Sequence, residues 1–211
     1  MDEKAAKTWL ANELHVPRET MARMAAFVRL LRDENERQNL VSTATLGEVW
    51  TRHIVDSAQL TRFAPAARSW LDLGTGAGFP GLIVAALHPA KVTMVEARPL
   101  RADFLRRAAQ VLDLPSETSL ICARIETLPS APSEVISARA FAPLGKLLGL
   151  AERFSTAKTR WILPKGRNAQ SELESVESSW HGDFRLEPSL TDADARIIVA
   201  QGVRRRTSSA S

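Results

Sequence analysis

Apolar positions over residues 1 to about 65 recur at helical spacing only. Met21, Met24, Ala25, Val28 and Leu31 form a stripe of period 3.6. It predicts a helix from Pro17 to about Leu40, with Pro17 suited to the first turn. A further helix is expected from about Leu46 to Phe63. From Trp70 short apolar runs alternate with helical stretches, the mark of βαβ units and a parallel sheet. The expected strands are Ser69–Leu73, Lys91–Val95, Ser119–Cys122, Glu134–Ala138 and Thr159–Leu163. The helices between them are Pro80–Leu87, Pro99–Leu112, Leu144–Phe154 and Ala169–Trp180. Two weaker strands, Phe184–Glu187 and Arg196–Ala200, leave no room for a helix between them, so they should end the sheet as an antiparallel hairpin. The expected organisation is a helical cap over residues 1–65, an α/β domain over 66–203 and a flexible basic tail over 204–211.

Composition narrows the classes. Hydrophobic residues make 45% of 211 and charged residues 25%, which is ordinary globular usage. The single cysteine, Cys122, excludes an intramolecular disulfide and a multi-cysteine zinc site, and its apolar neighbours suggest a packed core residue. The histidines His15, His53, His88 and His181 lie too far apart for a ligand set, so no metal is expected. The first fifteen residues lack the apolar core of a signal peptide, and the longest apolar run, Gly81 to Leu87, is too short to span a bilayer. A cytoplasmic, reducing setting without membrane contact is expected. The net charge of +4 suggests nucleic acid, but residues 1–70 carry 10 basic against 9 acidic side chains. Residues 71–211 carry 18 against 15, an excess equal to the run Arg204-Arg205-Arg206. Any basic face must come from local arrangement.

The sharpest local signal is WLDLGTGAGFPG, Trp70 to Gly81. A buried strand ends at Asp72-Leu73; Gly74, Gly76 and Gly78 follow; Pro80 stands where a helix begins. Glycines there let a ligand approach the backbone, and the helix behind them presents free N–H groups. Gly76 to Gly81 also fits G-x-G-x-x-G, so a dinucleotide fits as well as an adenosyl cofactor. Glu96, at the tip of the second strand, can accept the ribose hydroxyls of either. Asp72 before the loop, and Arg124-Ile125-Glu126 after the third strand, favour S-adenosylmethionine, because an acid there can reach an adenine amino group. Five parallel strands with a terminal hairpin agree, since this is the Rossmann-like class I S-adenosylmethionine-dependent methyltransferase arrangement, here with an N-terminal helical extension.

The runs LDLGTGAGFPG, VEARPLRADFLR, ARIETLP, VISARAFAPL and LPKG, with ERQNLVS and RHIVDSAQL upstream, cover about Glu36 to Ile198. Together they resemble the small-subunit ribosomal RNA guanine-N7 methyltransferases, the glucose-inhibited division protein B family. The resemblance implies S-adenosylmethionine as cofactor, held at Gly74, Gly76, Gly78, Phe79, Glu96, Ile125, Glu126 and Arg139; Asp72 joins them from its place before the loop, where the alternative is a carboxylate that braces the loop. It implies methylation of N7 of one guanine in 16S rRNA, guanine 527 in the family's rRNA numbering, with 16S rRNA or a small-subunit assembly intermediate as partner. Arg139 is the catalytic candidate, positioning cofactor or target base. Where the family often has D-S-x-x-K after strand two, this chain has Glu96-Ala97-Arg98-Pro99-Leu100-Arg101, so the serine is lost and a cationic contact would fall to Arg101.

The chemistry the residues permit is consistent with this. Methylation at a pyrimidine C5 usually uses a cysteine nucleophile, and Cys122 is poorly placed for it. The N/D-P-P-Y/F segment of many exocyclic-amine methyltransferases is replaced by Ser137-Ala138-Arg139-Ala140-Phe141. Guanine N7 carries a free lone pair and no proton, so transfer to it needs alignment and no general base. Candidate RNA contacts are Asn39, His53, Arg98, Arg101, Lys165 and Arg196. A monomer is expected, and the alternative reading is a small-molecule methyltransferase using the same cofactor.

Overall fold

Apolar side chains on successive strand positions point to opposite faces, and here both faces are covered. Along β1 (Ser69–Leu73) Trp70 joins one core, while Leu71 and Leu73 join the other. β2 (Lys91–Glu96) sends Val92 and Met94 to the first and Val95 to the second. The computed structural model, which describes residues 1–206, adds β3 (Ser119–Cys122), β4 (Val135–Ser137) and β5 (Arg160–Lys165), which with β1 and β2 form five parallel strands. β6 (Trp180–Pro188) and β7 (Arg196–Arg205) form an antiparallel pair, and β7 inserts beside β5. The order across the sheet is β3-β2-β1-β4-β5-β7-β6.

The first core lies under the N-terminal helices. α1 (Glu3–Glu13) buries Ala6 and Leu10. α2 (Arg18–Gln38) buries the expected Met24, Val28 and Leu31, together with Phe27. Phe27 meets Phe79 edge-on with centroids 5.7 Å apart and lies 6.3 Å from Phe104. α5 (Gly81–Leu87) and α6 (Pro99–Leu112) share this face. Polar bonds tie α2 to α6: Arg107 pairs with Glu34 at 2.7 Å, and Gln38 donates to the Leu100 carbonyl at 3.1 Å. The second core is covered by α7 (Leu144–Ala151) and α8 (Ala169–Glu174).

Several boundaries differ from expectation. The helix expected to reach Trp180 ends at Glu174, because the serine-rich stretch after it is a poor helix former and Trp180 is taken up by pairing with Arg205. Both hairpin strands are longer than their apolar runs, since antiparallel bonds carry them past the buried residues. Arg204 and Arg205, expected in a loose tail, belong to β7; residues 207–211 of that tail lie outside the described residues. Cys122 is exposed at the end of β3 rather than packed.

The helix expected over Leu46–Phe63 is the largest departure. A short α3 (Thr43–Leu46) precedes a π-helical turn, Trp50–Val55. The chain continues through α4 (Asp56–Ala58) into a 3-10 turn, Gln59–Phe63. Short π segments cluster at functional sites, and this one carries Arg52 and His53.

Candidate active site

The loop after β1 is organised by two carboxylates. Asp72 is fully buried. Its Oδ1 accepts from the Ser137 hydroxyl at 2.7 Å; its Oδ2 accepts from the Thr75 hydroxyl at 2.8 Å and the Gly81 N–H at 3.0 Å. Burial pushes its carboxyl up to about 6, opposed by those hydrogen bonds and by the charge of Arg139. Asp72 therefore braces the loop from behind, with both oxygens engaged inside the protein. Glu96 reaches the loop from the tip of β2: its Oε2 accepts from the Gly76 N–H at 3.0 Å and its Oε1 from the Arg98 N–H at 2.9 Å.

The three loop glycines divide in role. Gly74 and Gly76 are partly exposed, with φ of +66° and +61°. A Cβ on Gly76 would find its nearest neighbours 3.7 and 3.8 Å away, the Gly74 carbonyl and an Arg101 nitrogen. That is a surface a ligand can lie against. Gly78 is buried, and a Cβ there would run into Leu82. That side of the glycine packs on the helix that follows. The Phe79 ring is 2% exposed. It is enclosed by Phe27, His53 and the Arg139 guanidinium, whose Cζ lies 5.1 Å from its centroid. Ile125 is buried in the second core and Glu126 beside it is exposed, both on a 3-10 turn after β3.

A cleft of about 930 Å³ opens between the β4 and β5 ends, the π turn and the 189–195 loop joining β6 to β7. Phe141 divides the site: its ring lies against Gly74 and also lines this cleft. Ala140 before it has φ +50°, a left-handed backbone that costs a non-glycine residue about 1–2 kcal/mol. Arg139 lines the cleft with its side chain 19% exposed. Its Nη1 donates to the Arg52 carbonyl at 3.1 Å and Asp56 Oδ2 at 3.4 Å; its Nη2 faces His53 Nδ1 at 2.9 Å. Burial lowers the guanidinium's pKa, and Asp56 opposes that shift.

The RNA candidates separate. His53 lines the cleft but is 7% exposed with both ring nitrogens engaged. Lys165 lines the cleft but is tied to Glu172 at 2.8 Å and the Ala142 carbonyl at 3.2 Å. Arg196 lines it too, donating to the Ala193 and Ala195 carbonyls. Arg98 and Arg101 flank Glu96 without an ion-pair partner among the described residues. Asn39 is exposed at the left-handed end of α2, outside the cleft lining. The 189–195 loop went unnoticed in the sequence. Asp192 pairs with Arg52 at 2.9 Å, Thr191 donates to Asp56 at 2.9 Å, and the Leu190 N–H donates to Gln59 at 2.9 Å. Among the described residues no three His, Cys, Asp or Glu side chains gather as metal ligands, and no helix is long and apolar enough to cross a membrane.

Comparison with known proteins agrees with this architecture. The family model for rRNA small subunit methyltransferase G matches residues 20–192. The chain is 51% identical over 209 residues to ribosomal RNA small subunit methyltransferase G of Rhizorhabdus wittichii, covering 98% of this chain and 95% of that one. It is 53% identical over 203 residues to the protein of the same name from Novosphingobium aromaticivorans, covering 94% and 88%. Among solved structures, cofactor-bound Rv0187 from MTB superposes with a TM-score of 0.62 at 16% identity over 86% of this chain and 89% of that one. A TehB-like SAM-dependent methyltransferase from Corynebacterium glutamicum gives 0.51 at 16% identity over 70% and 87%. The fold is the Rossmann-like class I methyltransferase fold with an N-terminal helical extension.

Proposed function

The chain belongs to the rRNA small subunit methyltransferase G family, and from that premise we propose that it transfers a methyl group from S-adenosylmethionine to N7 of one guanine of 16S rRNA, guanine 527 in the family's rRNA numbering. The observation that carries the cofactor half is the pairing of Glu96 with the open backbone of Gly76. A carboxylate has about four acceptor directions; two of those on Glu96 hold backbone N–H groups, which leaves two for ribose hydroxyls. Gly74 and Gly76 provide the surface for the rest of the cofactor, with Ile125 and Glu126 toward the adenine. The bound cofactor supplies an electrophilic sulfonium methyl.

The protein's task is then to hold the guanine in line. Arg139 presents its guanidinium to the cleft, where it can take the guanine O6 edge, a phosphate or the cofactor carboxylate. Its positive charge suits none of the space directly against N7, because the product ring gains positive charge. No proton leaves N7, so no free base is required. The cleft acids Asp56, Asp192 and Glu172 are each engaged by a cation, which fits that requirement. Arg98 and Arg101 beside Glu96, with Arg196 and Lys165 at the cleft, are the proposed phosphate contacts, and Asn39 lies further out on the same reading. On this reading the protein acts as a monomer in the cytoplasm.

The test is transfer of tritiated methyl to ribosomal subunits and RNA from cells lacking the protein, followed by borohydride–aniline mapping. Label at a single 16S guanine with cleavage is expected. Cofactor binding with no label in any rRNA form would refute the substrate and favour a small-molecule acceptor.

A further inference from the structure

The π turn and Arg139 meet in a way that gives His53 a specific task. Three acceptors from one stretch of helix face one edge of the guanidinium: the Arg52 carbonyl, His53 Nδ1 and Asp56 Oδ2. Arginine only donates, so His53 Nδ1 must carry the lone pair and the ring proton sits on Nε2. That proton points to Thr45 Oγ1 at 3.0 Å. The ring is also fixed in plane, lying on buried Phe79 with centroids 4.9 Å apart and planes 18° from parallel. The Thr45 hydroxyl donates its own proton to the Ser42 carbonyl at 3.1 Å, so its oxygen is left to accept from Nε2–H, while Phe79 fixes the plane of the ring.

We propose that His53 is a positioning residue, an acceptor locked in one tautomer that holds the Arg139 guanidinium turned toward the acceptor cleft. The inference rests on the proposal that Arg139 acts in the cleft. Of five guanidinium N–H groups, these contacts use three and leave Nε–H and one Nη2–H for a ligand. An apolar ring at position 53 would pack on Phe79 as well as imidazole does, so packing alone does not call for histidine. A cation at position 53 would oppose Arg139 and Arg52, and burial with those two charges pushes the histidine down to about 3. The acceptor is therefore present throughout the pH range in which the protein works.

The experiment is a double-mutant cycle on methyl transfer to the rRNA form that accepts label, with cofactor affinity by calorimetry and Tm alongside. His53→Phe keeps the stacking and removes the acceptor. It should lower kcat/KM at least about tenfold, the worth of a hydrogen bond to a charged group. His53→Asn, whose amide oxygen can stand near the Nδ1 position, should recover most of that loss. Thr45→Val, at a partly exposed site, should cost less and in the same direction, because it removes the acceptor of Nε2–H. In an Arg139→Ala background, His53→Phe and Thr45→Val should cost nothing further. Equal losses in both backgrounds, or an Asn variant as poor as Phe at unchanged Tm, would overturn the inference while leaving Arg139 its role. Wild-type transfer by Arg139→Ala alone would remove the reading of Arg139, and this one with it.

Discussion

Replacing Asp72 by Asn tests whether the glycine loop is built around a carboxylate held charged at a cost. Asp72 is fully buried, and its carboxyl rises from 3.8 to about 6 because the loss of water outweighs three hydrogen bonds. Two pKa units correspond to about 3 kcal/mol of destabilisation at pH 7. The direction follows from proton binding. Between pH ~4 and ~6 the folded chain keeps a proton that the unfolded chain has released. The contribution of this group is therefore fully present below the unfolded pKa and is lost as pH rises through the folded one. Asn keeps the shape and does not titrate. Its oxygen can still accept from Thr75 and Gly81, while its amide meets Ser137, which already receives the Trp70 indole N–H at 2.8 Å. That mismatch shifts the variant's stability by a fixed amount at every pH. The wild-type protein should gain on Asp72→Asn by roughly 1.4 kcal/mol as pH falls from about 7.5 to about 5, one pKa unit's worth. Urea midpoints of both proteins at the two pH values measure this directly. A gap that stays constant, or that widens in the opposite sense, refutes the reasoning.

Glu96→Ala should weaken S-adenosylmethionine binding by about 1.5–3 kcal/mol in calorimetry, and unchanged affinity would remove Glu96 from the cofactor site. Gly81→Ala sets two effects against each other: alanine favours a helix by about 1 kcal/mol, but its Cβ would sit 2.6 Å from Met94 Cγ and 2.7 Å from Asp72 Oδ2. Overpacking of about 1–3 kcal/mol should prevail and lower the denaturation midpoint, and a variant as stable as wild type would show that the crowding relaxes freely. Arg98→Ala with Arg101→Ala should weaken RNA binding evenly across sequences and reduce the salt slope by about 2, one for each phosphate no longer neutralised. An unchanged slope would direct the search for phosphate-binding side chains to Arg196.

Much of the fold could be read locally. The strands of the parallel sheet and the helices Pro80–Leu87 and Pro99–Leu112 follow from apolar runs bounded by Gly, Pro and Asp, and Glu96 stands out as a lone acid ending an apolar strand. The roles within the loop were less legible, because burial separates them. Gly78 and Phe79 look like ligand residues from their place in the motif, and only the fold shows that Leu82 packs on the one and Phe27 on the other. The gathering of Arg52, Asp56 and Thr191 around Arg139 had no local signal. Arg139 and Asp56 are separated by 83 positions and Thr191 and Asp56 by 135, while a period-3.6 stripe looks much the same whether one turn of the helix is α or π.

The π turn also turns the length of a helix into information. The N–H of Asp56 reaches back five residues to the Thr51 carbonyl, so Trp50–Val55 holds one residue more than an α ladder would need. Deleting one residue there would let the ladder close in the ordinary α register and remove the widened turn, while the residues after it keep their direction. The Arg52 carbonyl and His53 would lose the turn that brings them, beside Asp56, to one edge of Arg139, although every side chain except one would survive in the sequence. The shortened segment would be a better helix and a poorer methyltransferase. In this protein the count of residues between Trp50 and Asp56 is as much a part of the site as the groups that touch it.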